Sequence, residues 1–389
     1  MKEIGISVYP DFYDIEIIKE QLDYAKSLGY KDVFTSLQLG DLGFQNTGIG
    51  ITKEFSFIFD YCHQIGLEIH VDINDRMLKY LQASPSNLKP IADLKIKVLR
   101  LDGGFTNEQA ANMTTNEYGI IIEENASMLQ FPKARIETIV KKGNVKQYYA
   151  CHNYFPLNET GLLYQDALHA AKLFKSYGIK VGIFICSLYA ENHLNAIGSG
   201  VPTIEEHRYK PAHIQAMELF VHDAFDYVIF GDTNPSKEEL LRVSEVAKND
   251  SIMEIEKKYS IEYLEKTEID GLFCVEIPVW FNKDISPILK EKLTSTVFLS
   301  RADQPELMIR ATQSRGIGNP EVYLPIVRNK YSLVIDNCLA NRYVGELQIP
   351  LSDLPAVRYA NVIGMVKPYG YRLLELLCYA NVTFILKEE

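Results

Sequence analysis

Between Ile4 and Gly231 the chain sets out eight short runs rich in β-branched and aromatic residues, most of them followed by a stretch with helical spacing. This alternation restricts the fold more than any other feature, because a regular strand–helix rhythm builds a parallel sheet covered by helices. The runs are Ile4–Tyr9, Asp32–Leu37, Leu67–Ile73, Ile96–Asp102, Gly119–Glu123, Gln147–Cys151, Lys180–Cys186 and Tyr227–Gly231. Ile15, Ile18, Leu22 and Ala25 share one face of the first helix, with Asp14 placed to cap its start and Gly29 its end. Further helices are predicted near Thr52–Ile65, Gln165–Tyr177, Pro211–Val221 and Ser236–Ala247. Eight such units in about 250 residues fit an α/β fold of the (β/α)8 TIM-barrel type, whereas a doubly wound sheet more often stops at five or six strands.

A chain of 389 residues is long for one core. After Asn249 its pattern turns strand-rich, with Phe273–Pro278, Thr294–Leu299, Glu321–Pro325, Leu333–Asp336, Tyr343–Pro350 and Val362–Met365 all reading as extended. The expected organisation is a barrel over residues 1–249 followed by a smaller, mainly β domain over residues 250–389.

The formal net charge of −11 argues against nucleic acid or an anionic membrane as partner, since both would be repelled over most of the surface. The sequence opens without the charged and apolar regions of a secretory signal and has no apolar run of ~20 residues, so a cytoplasmic protein is expected. Six cysteines form no CxxC pair and eight histidines no HxH or HExxH spacing, so neither a metal nor another cofactor is expected. A homo-oligomer stays open.

The strands end in polar residues. Side chains two apart on a strand share a face, which groups His70, Asp72 and Asn74; Arg100 and Asp102; Glu123 and Asn125; and His152 and Tyr154, with Asn153 between them. Each group falls at a strand's carboxyl end, where barrel enzymes place their chemistry. Two carboxylates without a metal-ligand cluster point to glycoside hydrolysis. With neighbouring strands ~4.8 Å apart, Asp102 and Glu123 on adjacent strands match the ~5–5.5 Å spacing of retaining enzymes, and Asp72 with Glu123, two strands apart, sits near the inverting limit. The loop Gly198 to Arg208 adds Glu205, His207 and Arg208, and Asp232 follows the eighth strand. In the second domain Arg310, Arg315, Asn337 and Arg342 form a cationic pattern suited to phosphate or carboxylate. A phosphosugar isomerase or aldolase and a non-enzymatic carbohydrate-binding protein are the competing readings; no lysine closes a predicted strand to form a Schiff base.

Gly5-Ile6-Ser7-Val8-Tyr9-Pro10, Phe34-Thr35-Ser36-Leu37, Leu99 to Phe105, Asn125-Ala126-Ser127, Cys151-His152-Asn153-Tyr154-Phe155-Pro156, Pro202 to Arg208 and Ile335-Asp336-Asn337 through Ile349 run in order along nearly the whole chain. On these segments the sequence resembles the bacterial 6-phospho-N-acetylmuramidases. The resemblance implies a TIM barrel followed by a cyclophilin-like β domain, and hydrolysis of the β-1,4 bond of 6-phospho-N-acetylmuramyl-N-acetylglucosamine, a phosphorylated amino-sugar disaccharide of cell-wall recycling. Asp102, Glu123 and Asp72 are the expected catalytic carboxylates. The expected substrate-binding residues are Tyr9, Ser36, Arg100, Asn125, His152, Asn153, Glu205, His207, Arg208, Asp232, Arg310, Arg315, Asn337 and Arg342. One or more of Arg208, Arg310, Arg315 and Arg342 is expected to hold the substrate's anionic groups.

Overall fold

A computed structural model describes residues 2–10, 13–38, 51–127, 132–190, 200–249, 275–301, 305, 307–311, 314–315, 317–378 and 382–388. They fall into two compact units, Met1–Asp250 and Ser251–Glu389.

The first unit is a closed parallel barrel of strands β1 (Glu3–Ser7), β2 (Asp32–Ser36), β3 (Glu68–Asn74), β4 (Val98–Gly103), β5 (Ile121–Asn125), β6 (Tyr148–Cys151), β7 (Lys180–Ile185) and β8 (Tyr227–Thr233), with β8 pairing back onto β1. Its described helices are α1 (Ile15–Leu28), α2 (Lys53–Ile65), α3 (Asp75–Tyr80), α4 (Lys89–Asp93), α5 (Asn107–Met113), α6 (Pro132–Lys142), α7 (Tyr164–Lys175), α8 (Ala212–Phe220) and α9 (Lys237–Lys248). The (β/α)8 reading of the sequence is correct, and the helix signals act as expected. Asp14 accepts from the Glu16 amide to start α1, and Gly29, at φ 97°, returns its amide to Ala25 and Lys26 to end it. Ser236 and Glu239 form a capping box on α9.

One rung of hydrogen-bond register fixes the site. Ser36 pairs with Asp72, Asp72 with Arg100, Arg100 with Glu123, and Glu123 with Tyr149, so polar side chains from β2 to β5 arrive at one level of the barrel. Gly182 makes room inside. A Cβ there would stand 2.1 Å from the ring of Tyr227, its register partner on β8, so the missing side chain on β7 is the space that the tyrosine fills.

The second unit is a mixed seven-stranded sheet in the order β10-β15-β9-β14-β12-β13-β11, parallel between β15 and β9 and antiparallel elsewhere. The strands are β9 (Val275–Phe281), β10 (Phe298–Leu299), β11 (Met308–Arg310), β12 (Ser332–Asp336), β13 (Leu347–Pro350), β14 (Ala360–Val366) and β15 (Thr383–Glu388), with helices α10 (Pro287–Ser295) and α11 (Leu373–Leu377) beside them. Phe273, at the start of the first expected run, lies outside the described residues. Three expectations need correction. Most of Thr294–Leu299 is the end of α10 and its exit, leaving only two residues in β10. Glu321–Pro325 is irregular: prolines bracket it, and Leu324 is 84% exposed, so no apolar face is buried there. Tyr343 ends a 3-10 helix, and Gly345 at φ 83° delays β13 to Leu347.

Candidate active site

Arg100 is the hub of the barrel interior. Its side chain is 1% exposed, and its Nη1 donates to the Cys151 carbonyl (2.9 Å) and to Glu123 Oε1 (3.3 Å). Nη2 donates to Asn153 Oδ1 (3.3 Å), and Nε lies 3.5 Å from Asp72 Oδ1. Glu123, wholly buried, also meets His70 Nδ1 at 3.0 Å and takes the Tyr227 hydroxyl, while His70 Nε2 lies 3.3 Å from Asp32. Burial would raise the Glu123 pKa, but His70, Arg100 and Tyr227 together hold it below the ordinary carboxylate range. Burial would likewise lower the His70 pKa, yet Glu123 and Asp32 raise it. The result is a charged network buried inside the barrel, in which Asp32 Oδ2 has no hydrogen-bond partner among the described residues.

Towards the carboxyl ends lies a different pair. Asp72 Oδ2 accepts from Ser36 Oγ (3.1 Å) and from Gln38 Nε2 (2.8 Å), and the same Gln38 nitrogen reaches Asp102 Oδ2 at 3.3 Å. Both contacts end on one nitrogen, so the two carboxylate oxygens are at most about 6 Å apart, the two lengths laid end to end. Asn125 Nδ2 donates to Asp102 Oδ1 at 2.8 Å, and Asn74 Nδ2 donates to Gln38 Oε1 at 2.9 Å, which turns the glutamine's NH2 towards the acids. Burial and the neighbouring Asp102 raise the Asp72 pKa to about 7 against the opposing pull of Arg100. Asp102 is half-buried.

Asp102 and Glu123 therefore occupy different levels. Glu123 is level with Arg100, and the residue beside Asp102 on β5 is Asn125. An estimate from strand spacing alone leaves out this step of two residues along β4.

The remaining expected site residues divide sharply. Ser36, Asn125 and Asn153 join the network at the strand ends. His152 is buried; burial and then Arg100 pull its pKa down to about 4, keeping it neutral, with Nδ1 3.2 Å from Ser127 Oγ. Tyr9 packs in a buried cluster with Phe34, Tyr154, Phe184 and Tyr227, and its hydroxyl faces the Gly231 carbonyl at 3.4 Å. Asp232 accepts the Ser187 and Val201 amides, and burial raises its pKa to about 7. Glu205 and Arg208 instead pin loops. Arg208 is 0% exposed and donates to Glu205 and to the carbonyls of Gly200, Phe155 and Leu157, while Glu205 also takes the Glu159 and Gly161 amides. His207 is sealed against Glu218 at 3.0 Å.

In the second unit Arg310 and Arg315 both bind Glu346, and Asn337 ties the Arg358 carbonyl to Asn361. The side chain of Arg342 lies outside the described residues. Sequence reasoning missed Gln38, Asp32 and Tyr227. Gln38 was within reach, being two residues beyond Ser36 and hence on the same strand face. Among the described residues no group of three or more His, Cys, Asp or Glu is placed to hold a metal ion.

A closed (β/α)8 barrel with paired acids at its strand ends has the form of a glycosidase. Residues 4–245 match the family model described as 6-phospho-N-acetylmuramidase, N-terminal, and residues 275–386 match its C-terminal counterpart. The chain belongs to the 6-phospho-N-acetylmuramidase family and is a glycosidase. Among solved structures it is similar to an uncharacterized B. cereus protein at 26% identity and a TM-score of 0.73, covering 100% of this chain and 99% of that one. A conserved Enterococcus faecalis protein with an unknown function shares the fold at 24% identity and a TM-score of 0.69, covering 100% and 96%. Among curated proteins none matches the chain.

Proposed function

We propose that this chain hydrolyses the β-1,4 bond of 6-phospho-N-acetylmuramyl-N-acetylglucosamine in cytoplasmic cell-wall recycling, with Asp72 as the acid and Asp102 as the second carboxylate. The observation that carries the catalytic assignment is the Asp72–Asp102 pair bridged by Gln38; the family match supports the substrate. With its pKa near 7, Asp72 keeps a proton to give at neutral pH. It would protonate the glycosidic oxygen as the bond to the anomeric carbon breaks. Asp102, half-buried and steadied at both oxygens by Asn125 and Gln38, would attack that carbon and form a glycosyl-enzyme. Asp72, now ionised, would take a proton from the water that releases the sugar. A ceiling of about 6 Å between the acids favours this retaining course over the wider ~6.5–9.5 Å inverting arrangement. Glu123 has no proton to give and no open face, so its part is to fix Arg100 and His70 beneath the pair.

The test is hydrolysis of the phosphorylated disaccharide by Asp72→Asn and Asp102→Asn, with the first-formed anomer read by proton NMR. Each variant should fold and lose at least about two orders of magnitude in kcat, and the wild type should release the β anomer first. Wild-type turnover in either variant would remove that residue from the mechanism. Release of the α anomer would overturn the retaining course.

A further inference from the structure

Beneath the Asp72–Asp102 pair the barrel holds a column of buried charge whose sign alternates from one contact to the next. Asp32 Oδ1, at the start of β2, lies 3.3 Å from His70 Nε2. His70 Nδ1 lies 3.0 Å from Glu123 Oε2, Glu123 Oε1 lies 3.3 Å from Arg100 Nη1, and Arg100 Nε lies 3.5 Å from Asp72 Oδ1. No side chain of the column is more than 12% exposed. Burying ionisable groups is costly, and close pairing is what offsets the loss of water. Asp32 serves the column alone: its one side-chain hydrogen bond among the described residues is to this histidine.

The alternation constrains the acid at its upper end. Asp32 and Glu123 are negative, His70 and Arg100 positive, so these four balance and the column is neutral only while Asp72 keeps its proton. Burial opposes a charge on His70, yet Glu123 and Asp32 push its pKa up to about 9, which keeps the imidazolium in place at neutral pH. The groups packed around the column leave this balance as it is. Burial keeps Tyr227 of β8, Cys151 of β6, and His152 and Tyr154 just beyond β6 uncharged. From β2, Asp72 meets only the uncharged Ser36 and Gln38. Lys31, beside Asp32, is engaged by Glu3 and Glu68, and Lys180, over the Tyr227 ring, is engaged by Glu3. Asp102 of β4 adds negative charge at the mouth, which disfavours ionised Asp72 further.

We propose that His70 and Asp32 are positioning residues for the reaction, setting through Glu123 and Arg100 how firmly Asp72 holds the proton it gives. Both are sealed below the pair at 2% exposure. The imidazolium engages one oxygen of Glu123 and leaves the other to Arg100. Without it Glu123 stands as an unbalanced anion and disfavours a second negative charge on Asp72. His70 precedes Asp72 by two residues on β3, ~7 Å along the strand, so a unit charge there moves the acid by about one to two pH units at the effective dielectric of a protein interior. Asp32 acts with the opposite sign. The role of Asp72 as the acid rests on the glycosidase reading above; the coupling of His70 to Asp72 rests on the contacts of the column alone.

The pH profile of kcat/KM would be measured on the full chain for His70→Gln and for the double variant Asp32→Asn/His70→Gln, with circular dichroism confirming the fold. The His70 imidazole would be followed by nitrogen NMR in the wild type and in Asp72→Asn. His70→Gln should move the alkaline limb to higher pH by about one to two units, and removing the opposite charge as well should return it to within about half a unit of the wild type. A residue that served packing alone would be made worse by the second substitution, not corrected. His70 should be charged at pH 7 in the wild type, and in Asp72→Asn it should lose its proton about one to two units lower, because coupling between two sites is reciprocal. A limb that stays in place or moves to lower pH in His70→Gln, or a double variant no closer to the wild type than the single one, overturns the proposal. So does an imidazole that is neutral at pH 7, or one that titrates alike in the wild type and Asp72→Asn. Should His70→Gln fail to fold, the imidazole titration decides alone. That titration involves no turnover, so the coupling is still judged if Asp72→Asn proves active and the assignment of the acid falls.

Discussion

Replacing Gln38 by Leu should move the alkaline limb of the kcat/KM profile to higher pH. The acid must hold its proton to act, so the rate falls as pH rises through the Asp72 pKa, which in the wild type lies at about 7. Gln38 donates 2.8 Å to Asp72 Oδ2 and so favours the ionised form. A hydrogen bond to a charged group contributes ~1.5–3 kcal/mol, and one pKa unit corresponds to about 1.4 kcal/mol, which gives a shift of roughly one to two units. Gln38 is half-buried, and water entering its place returns part of this, so about one unit is the expected displacement. Loss of the shared bond to Asp102 acts in the same direction, since repulsion between the carboxylates is then less screened. The assay is a mass-resolved measurement of kcat/KM for the phosphorylated disaccharide from about pH 5 to 9, a parameter that reports the free enzyme. A wild-type profile without a limb near neutrality, or a limb that stays in place or moves to lower pH in the variant, would refute the assignment of Asp72 as the acid.

Two further outcomes follow from the buried networks. Arg208→Ala should lower stability by about 3–5 kcal/mol by leaving the Glu205 carboxylate and three carbonyls without their partner, while KM for the phosphorylated sugar stays near wild type; denaturant midpoints and steady-state kinetics check this, and a stable variant with raised KM would return Arg208 to the substrate. Glu123→Gln should cost a similar ~3–5 kcal/mol at neutral pH. The sign differs at the two ends of the pH range: the lowered Glu123 pKa gives support present above ~4.3 and lost as pH falls through its folded value, and the raised His70 pKa gives support present below ~6.5 and lost as pH rises through its folded value. Denaturation in acid, neutral and alkaline buffer should show the variant losing both slopes, and parallel curves for the two proteins would count against the network.

The barrel was legible because its signals are local: β-branched runs, caps such as Asp14 and Ser236, and helix-ending glycines sit next to one another in sequence. Alternation along a strand also placed Asp72, Arg100 and Asp102 on the inner face. The level at which strands meet was not legible, because register is set by closure of the whole barrel rather than by any one strand. That is why Asp102 met Asn125 in place of Glu123. Nor does residue type show who is already engaged. Arg208 and Arg315 look alike in sequence, yet one is sealed among carbonyls and the other is exposed beside a buried acid. The short strands of the second unit were hardest, since β11 has three residues and β15 ends in Lys387 and Glu388, too little or too polar to show alternation.

Asn74 makes the proton on Asp72 answerable to a helix. Its Oδ1 accepts the Met77 amide and starts α3, while its Nδ2 holds the Gln38 carbonyl and thereby the orientation of the amide that faces both acids. Were that glutamine to turn over, an oxygen would point at two carboxylates, and the Asn74 contact opposes this. Fraying of the first turn of α3, a six-residue helix with little stability of its own, would release Asn74 and let the amide turn. The acidity of the Asp72–Asp102 pair and the opening of a short helix are thus one equilibrium, so hydrogen exchange at the Met77 amide and the alkaline limb of the kcat/KM profile should respond together to temperature.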